Sequence, residues 1–405
     1  MAVLRLYRLA FAPALAAIVV LAFSLDGVPE PVEPSPVTLT FEGGRAAATA
    51  REVASRGPER APGSEGDLAA ADYVRERFEA LDSGEVAVQE FEVDVDGDEE
   101  TLRNVVMTLP GASERTVVVI AGRDSRSGAG VTTSAAATGV LIELAQQLGV
   151  ADRERTVVLA STDGASSEAQ GAKELVGALP DPGLVDAVLV ISQPGVADQE
   201  PPHIVTSSSG DHTPAIVLVR TAEAQLAARA TRDSGLPGPF AQLARLALPG
   251  ASGEQAALLG EGLDAVTVSG AGEVPIDPAD DDPDAIDPTV LSGYGSALLA
   301  TLGALDAAGA RSMPSPDTYV RFSANVVPGW TLALLALTLL IPPAAFAVSV
   351  HSRAARAGQA PGRALSWVAG PTTPRPSSRR DRAPGRPARR ASAPRPRTPR
   401  GESAG

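Results

Sequence analysis

The sequence predicts an α/β domain with helices on both faces of a β-sheet, joined to two membrane-spanning helices and a disordered basic tail. Three observations predict this. Short apolar runs without polar alternation recur as TVVVIA, TVVLA and AVLVI, the pattern of strands covered on both faces. Helical repeats of apolar residues accompany those runs. Long uncharged runs lie near each end of the chain, and the last one is followed by an arginine-rich tail.

From the N-terminus, Arg5 and Arg8 in the cytoplasmic segment 1–8 precede an apolar run over 9–25, and Asp26, Glu30 and Glu33 follow it. The run reads as a signal or an anchor, and the absence of a clean A-x-A cleavage site favours the anchor. Residues 26–55 are proline-punctuated at their start and read as a linker. An extracytoplasmic domain over 56–312 begins with RAPGSEGDLAAADYVRERFEAL, where Ser64 or Asp67 caps a helix with Leu68, Ala71, Val74, Phe78 and Leu81 on one face. Alternation over Val86–Val95, a DGDEE turn and a return over Leu102–Leu109 predict a hairpin.

The central segment, Arg115 to Ala145, reads as a buried strand over Val117–Ala121, a loop broken by Gly128 and Gly130, and a helix capped by Ser134. That helix carries Val140, Leu141, Leu144 and Leu148 at helical spacing. Further strands are expected at Arg155–Ala160, Ala187–Ile191 and Ala265–Val268, the last preceded by a helix. The acidic run Ile276–Asp287, interrupted by prolines, reads as a solvated surface loop rather than a calcium site. Residues 313–328 read as a linker, and 329–350 contain no charge and are long enough to cross a bilayer, with Trp330 at one interface.

Charge supports this division. Residues 352–405 hold thirteen Arg against Asp381 and Glu402, a balance of +11 within a chain of net −15, so the remainder carries −26. The positive-inside rule then places 26–327 outside and the tail 351–405 in the cytoplasm of a cell-membrane protein. The tail is too poor in apolar residues to form a core. It reads as an orientation and solubility device, with contact to anionic lipid as the sharper reading; without interleaved aromatics it predicts no specific nucleic-acid partner. There is no cysteine, which excludes disulfides and thiolate metal sites.

Ala121, Asp124, Ser125, Gly128, Gly130 and the helix LIELA match, in order, the core pattern of the zinc metallo-exopeptidases of the aminopeptidase-like family M28, roughly AHxDS, then GPGADDNASG, then an apolar helix. The segment SGEQAALLGEGLDAVTVSG resembles that family's SDHxPF…GIPAV. The resemblance implies a three-layer fold around a mixed sheet and a site holding two zinc ions. It also places that site's lost members. The first histidine falls on Gly122, the metal-bridging aspartate on Thr133, the ligand and base glutamates on Ser166 and Ser167, and a later aspartate on Ser192; no histidine follows the last core strand. Hydroxyls replace zinc ligands poorly, so no metal or cofactor and no catalytic residue is expected. Asp124, which in that family orients the first histidine, is expected to bond backbone groups instead.

Other candidates carry less. Glu168 is a conceivable displaced base, although a helix's first turn already explains it. His203 and His212 are read as ordinary surface histidines rather than a metal pair. Ser207 to Ser209 with Asp211 and His212 lack a GxSxG elbow. The sequence therefore predicts a membrane-anchored, extracytoplasmic, peptidase-like domain without peptidase activity, binding a peptide, an envelope component or another protein. A hydrolase with a rebuilt site and a subunit of a membrane complex are the alternatives.

Overall fold

The computed structural model describes residues 2–33, 39–95, 97–179, 181–195, 201–230, 237–272, 276, 281, 283–308 and 315–357. The arginine-rich tail expected to be disordered lies outside them from residue 358.

Four parallel strands form the middle of a seven-stranded sheet: β4 (Ser113–Gly122), β5 (Arg155–Thr162), β6 (Val185–Ser192) and β8 (Ala265–Ser269). On one side the antiparallel hairpin β2 (Glu85–Val95) and β3 (Asp98–Leu109) adds to β5. On the other, β7 (His203–Val205) pairs antiparallel with β8, giving the order β2-β3-β5-β4-β6-β8-β7. In the central strand Val117, Val119 and Ala121 enter one core and Val118 and Ile120 the other, so both faces are covered.

The larger core lies under α2 (Gly43–Arg56), α3 (Glu65–Glu79), α4 (Ser134–Gly149), α6 (Ile216–Arg229) and α9 (Pro288–Ala307). The smaller one lies under α5 (Gln170–Gly177) and α8 (Glu254–Gly260). This is the three-layer architecture that the sequence predicts. Ser64 caps α3 as expected, its hydroxyl accepting from the Asp67 N–H at 3.2 Å. Ser134 does not cap α4. Its hydroxyl accepts from Arg60, and the Gly130 carbonyl receives the Ala135 N–H instead.

The linker read over 26–55 ends earlier than expected, because Gly43–Arg56 is a core helix in which Ala46, Ala47, Ala50 and Val53 are fully buried. Its alanines carry no bulky apolar stripe, yet small side chains are what a close helix crossing demands. A Cβ on Gly139 of α4 would lie 2.4 Å from the Ala46 carbonyl oxygen. The linker read over 313–328 likewise contains β9 (Tyr319–Phe322) and β10 (Asn325–Pro328). With β1 (Asp26–Gly27) they form a small antiparallel sheet of order β1-β10-β9.

That small sheet connects the terminal helices. β1 follows α1 (Ala2–Phe23) by two residues, and β10 runs directly into α10 (Gly329–Arg356). Pairing of Asp26 with Val326 therefore brings the end of α1 beside the start of α10. Two helices among the described residues are long and apolar enough to cross a membrane. Pro288–Ala307 is α9, a core helix with more than half of its apolar window buried, whereas the window in Gly329–Arg353 is only 6% buried. In α1 the described apolar segment, Pro13–Ala22, is shorter than a span.

At the amino ends of the parallel strands, Asp186 at the start of β6 accepts from Arg155 at 2.7 Å and from Arg115, and Asp306 in α9 accepts the backbone N–H groups of Glu154 and Arg155. Burial opposes the charge on Asp186, but the hydrogen bonds and charges of the two arginines outweigh it and hold the carboxyl below its ordinary 3.8. A group depressed in the folded state contributes stability that is present above its unfolded value and lost as pH falls through the folded one. Asp186→Ala is expected to destabilise the chain by about 3–5 kcal/mol by taking the carboxylate partner from the buried Arg155 guanidinium. Thermal unfolding should show this cost at neutral pH, shrinking below about pH 4 as the wild type loses the same contribution.

Candidate functional site

An open cleft of about 540 Å³ lies at the carboxyl ends of the parallel strands, the usual position for ligands in open α/β sheets. Gly122, Asp124, Thr133, Ser166 and Ser192 all line it, so the fold gathers five of the six positions predicted from sequence. The sixth, Ser167, is buried and accepts a long contact from Arg126, 3.5 Å from the guanidinium to its hydroxyl.

Gly122 closes β4, and the space beyond its Cα is already occupied. A Cβ there would come within 2.5 Å of the Ala165 methyl and 3.5 Å of Glu254 Oε2. No histidine fits without moving the loop after β5. Asp124 holds that loop in place, its carboxylate accepting from the Ala165 and Ser166 N–H groups at 2.8 and 3.0 Å. This is the backbone role expected of Asp124, exercised on the neighbouring loop rather than its own. Burial raises its carboxyl, and the hydrogen bonds from Ser166 and Ala165 pull in the other direction.

Behind the cleft floor Arg123 is wholly buried. It donates to the Ser161 carbonyl at 3.0 Å, to the Arg103 carbonyl and to Asp67, and it lies 3.5 Å from Asp163. Asp163 in turn accepts from the N–H groups of Gly63, Arg103 and Gly164. One guanidinium thus faces two carboxylates. Burial, only partly offset by Arg123 and reinforced by Asp163, pushes the Asp67 carboxyl well above its ordinary range.

Glu254, in the first turn of α8, is the site residue that sequence reasoning missed. Its carboxyl is 6% exposed, faces Gly122, and accepts from the Thr162 hydroxyl at 2.6 Å. Burial pushes it up to about 7, with the Thr162 bond lowering it and the charge of Asp124 raising it. The available signal was spacing, since Glu254 is one turn from Leu258, a fully buried residue, and so shares its face.

Asp281 departs from the solvated loop read over Ile276–Asp287, in which Asp284 and Asp287 are exposed. Its carboxylate accepts from the N–H groups of Val131 and Thr132 at 2.8 and 3.0 Å and from the Thr132 hydroxyl at 2.6 Å, pinning the loop before α4. Residues 277–280 and 282 of that run lie outside the described residues. Opposite, Gln193 adopts φ +49° just after Ser192, and its amide oxygen receives the Ile276 N–H. A non-glycine residue there costs about 1 kcal/mol or more of backbone strain.

The other candidates do not come together. Glu168 is exposed and turned out of the cleft lining. His203 opens β7 opposite Ser269, while His212 lies 3.5 Å from Asp264, whose hydrogen bond raises its imidazole. The Ser209 hydroxyl donates to the Ala256 carbonyl, so Ser209 and His212 are engaged with different partners and form no triad.

Zinc requires converging imidazole or carboxylate donors, and glycine, threonine and serines at these positions do not fit it. Among the described residues no group of three His, Asp or Glu side chains could hold a metal ion.

Residues 104–244 match the model of Peptidase family M28. No curated protein matches the chain by sequence. Among solved structures the chain is similar to an Acidobacteriales bacterium glutaminyl cyclase, with 16% identity, TM-score 0.53 and coverage of 68% of this chain and 99% of that one. It is also similar to a zinc aminopeptidase from Bacillus subtilis, with 11% identity, TM-score 0.56 and coverage of 69% and 99%. A leucine aminopeptidase precursor from Bacteroides thetaiotaomicron shares 14% identity at TM-score 0.52, with coverage of 66% and 98%. At these identities the likeness establishes the fold.

Glu254 sets a pH dependence of opposite sign to that of Asp186. A carboxyl raised by folding contributes stability that is full below its unfolded value and lost as pH rises through the folded one, here between about 4.5 and 7. Glu254→Gln keeps the Thr162 bond and is expected to remove that loss. Unfolding followed from pH 4.5 to 8 should show the variant more stable than wild type at pH 8 by on the order of 1–3 kcal/mol, and no more stable at pH 4.5.

Proposed function

We propose that this domain, which has the fold of zinc exopeptidases and matches Peptidase family M28 over residues 104–244, is a membrane-anchored binding module that does not hydrolyse peptides through zinc. The observation that carries the reading is the rebuilt wall at Gly122, where the Ala165 methyl and the Glu254 carboxyl fill the space a ligating side chain would need. The losses at Thr133, Ser166, Ser167 and Ser192 agree with it, since isolated hydroxyls bind zinc weakly.

The chemistry of the cleft suits a polar ligand with few net charges. Ser125, Ser127, Ser134, Ser192 and Gln193 supply hydroxyl and amide groups, and Val190, Ile191 and Ile276 supply apolar surface. A peptide or an envelope component carries that mixture of groups. In this reading α10 spans the cell membrane, α1 is a second anchor, and the domain between them is extracytoplasmic with the basic tail in the cytoplasm. The apolar exposure of Gly329–Arg353 and the arginines after it support the arrangement.

One observation favours a second reading, a hydrolase with a reconstructed site. Glu254 is a buried carboxyl facing the cleft that titrates near neutrality, as a general acid or base does. It replaces Glu168 as the residue on which that reading rests.

Zinc content of the purified chain and turnover of aminoacyl and N-terminal glutaminyl substrates separate the two readings. The binding module is expected to retain far less than one zinc per chain after dialysis against zinc and to give no turnover above buffer. Stoichiometric zinc with turnover sinks it. Metal-free turnover abolished by Glu254→Gln, with the fold retained, establishes the second reading.

A further inference from the structure

The helix α7 (Pro239–Ala247) is built the wrong way round for a soluble domain. Its half-buried side carries Gln242, Arg245 and Leu246, whereas Phe240, Leu243, Ala244, Ala247 and the following Leu248 all face outward. The outward set follows the i, i+3, i+4, i+7 spacing of a single helical face, and no residue of the helix is buried. Phe240 is 86% exposed and Leu248 81%. Pro237-Gly238 before it and Pro249-Gly250 after it are chain breakers that set the helix apart.

The polar side of α7 is fixed to the small sheet beside the terminal helices. The Gln242 amide accepts the Arg321 N–H at 2.8 Å and donates to the Arg321 carbonyl at 3.2 Å, satisfying the free edge of β9 as a neighbouring strand would. β9 pairs with β10, and β10 continues without a break into α10. Two further large apolar side chains are exposed on this path, Phe322 at the end of β9 and Trp330 in the first turn of α10. Charge points the same way. The stretch 234–253 contains no acidic residue and one arginine, in a part of the chain that otherwise carries a large negative excess.

We infer that α7 is an interfacial helix that lies in the bilayer surface beside the start of α10, with Phe240, Leu243 and Leu248 inserted among the lipids. The inference rests on the reading that α10 spans the membrane. A lipid surface, rather than a protein partner, is the occupant indicated, because the apolar face is attached through β9 and β10 to the apolar helix itself and lacks the acidic groups that lipid headgroups repel. Its consequence concerns the cleft. Gly250, Ala251, Ser252 and Gly253, which follow α7 directly, line one wall of the cleft, so an immersed α7 holds that wall close to the membrane surface and favours ligands presented there.

The chain contains no cysteine, so single substitutions can be labelled without background. Full-length Phe240→Cys, Ala244→Cys, Val150→Cys and Leu340→Cys, each carrying an environment-sensitive fluorophore, would be reconstituted into vesicles of phosphatidylcholine and phosphatidylglycerol with nitroxide lipids. The Val150 and Leu340 sites are exposed references, one outside the proposed contact and one within α10. Insertion predicts quenching at 240 and 244 about threefold or more above that at 150, as burial ~5–10 Å into the headgroup boundary produces. Quenching at 340 without quenching at 240 and 244 overturns the inference and leaves the membrane anchor standing. A blue-shifted but unquenched label at 240 assigns the face to a protein contact and also overturns it. Absence of quenching at 340 overturns the anchor itself, and the inference with it.

Discussion

The buried guanidinium of Arg123 organises the carboxyl end of the sheet. Arg123 leaves the central strand and meets Asp67 from α3, the Arg103 carbonyl from β3 and the Ser161 carbonyl from β5. Burying such a charge is unfavourable without partners, so these contacts hold the three elements in one arrangement. Asp163, beside it, collects three backbone N–H groups, and Asp124, next in sequence to Arg123, collects two more. The loops after β4 and β5 are thus positioned by buried carboxylates acting on backbone, with no metal required to order them.

Contacts among the cleft's own residues hold its walls in place. Asp124 braces the loop after β5, and that brace brings Ala165 against Gly122. Glu254 then fills the remaining space, bonded to Thr162. Asp281 plays a comparable part on the other side of the cleft by satisfying the N–H groups of Val131 and Thr132.

The same chain solves a second problem at its termini. β1 and β10 pair so that α1 and α10 meet at one small sheet, whose outer strand β9 is closed by the Gln242 amide. An exposed strand edge is a site for unwanted pairing, and one glutamine removes it. The outward apolar face of α7 follows from the same contact, because the polar side of the helix is the side committed to β9.

Much of this was legible in the residues. The parallel strands at Val117–Ala121, Arg155–Ala160, Ala187–Ile191 and Ala265–Val268 announced themselves because strands covered on both faces have no polar alternation. The cleft positions followed from order along the chain, since Gly122 and Ser192 end strands, Thr133 precedes α4, and Asp124 and Ser166 lie in the loops after β4 and β5. α2 was hidden by its alanines, whose value lies in allowing close approach to Gly139, a property of two helices and not of one. Glu254 and Asp281 were hidden for a related reason. A carboxylate in a helix's first turn or an acidic loop reads as solvated, and only the crossing of distant segments decides that Thr162 or the Thr132 N–H will receive it. The sequence by itself determined the strands and the apolar terminal helix, because these depend on residue type and local period. Tertiary structure alone decided which carboxyls are buried, what packs against Gly122 and which face of α7 looks outward, because burial is a property of what the rest of the chain brings alongside.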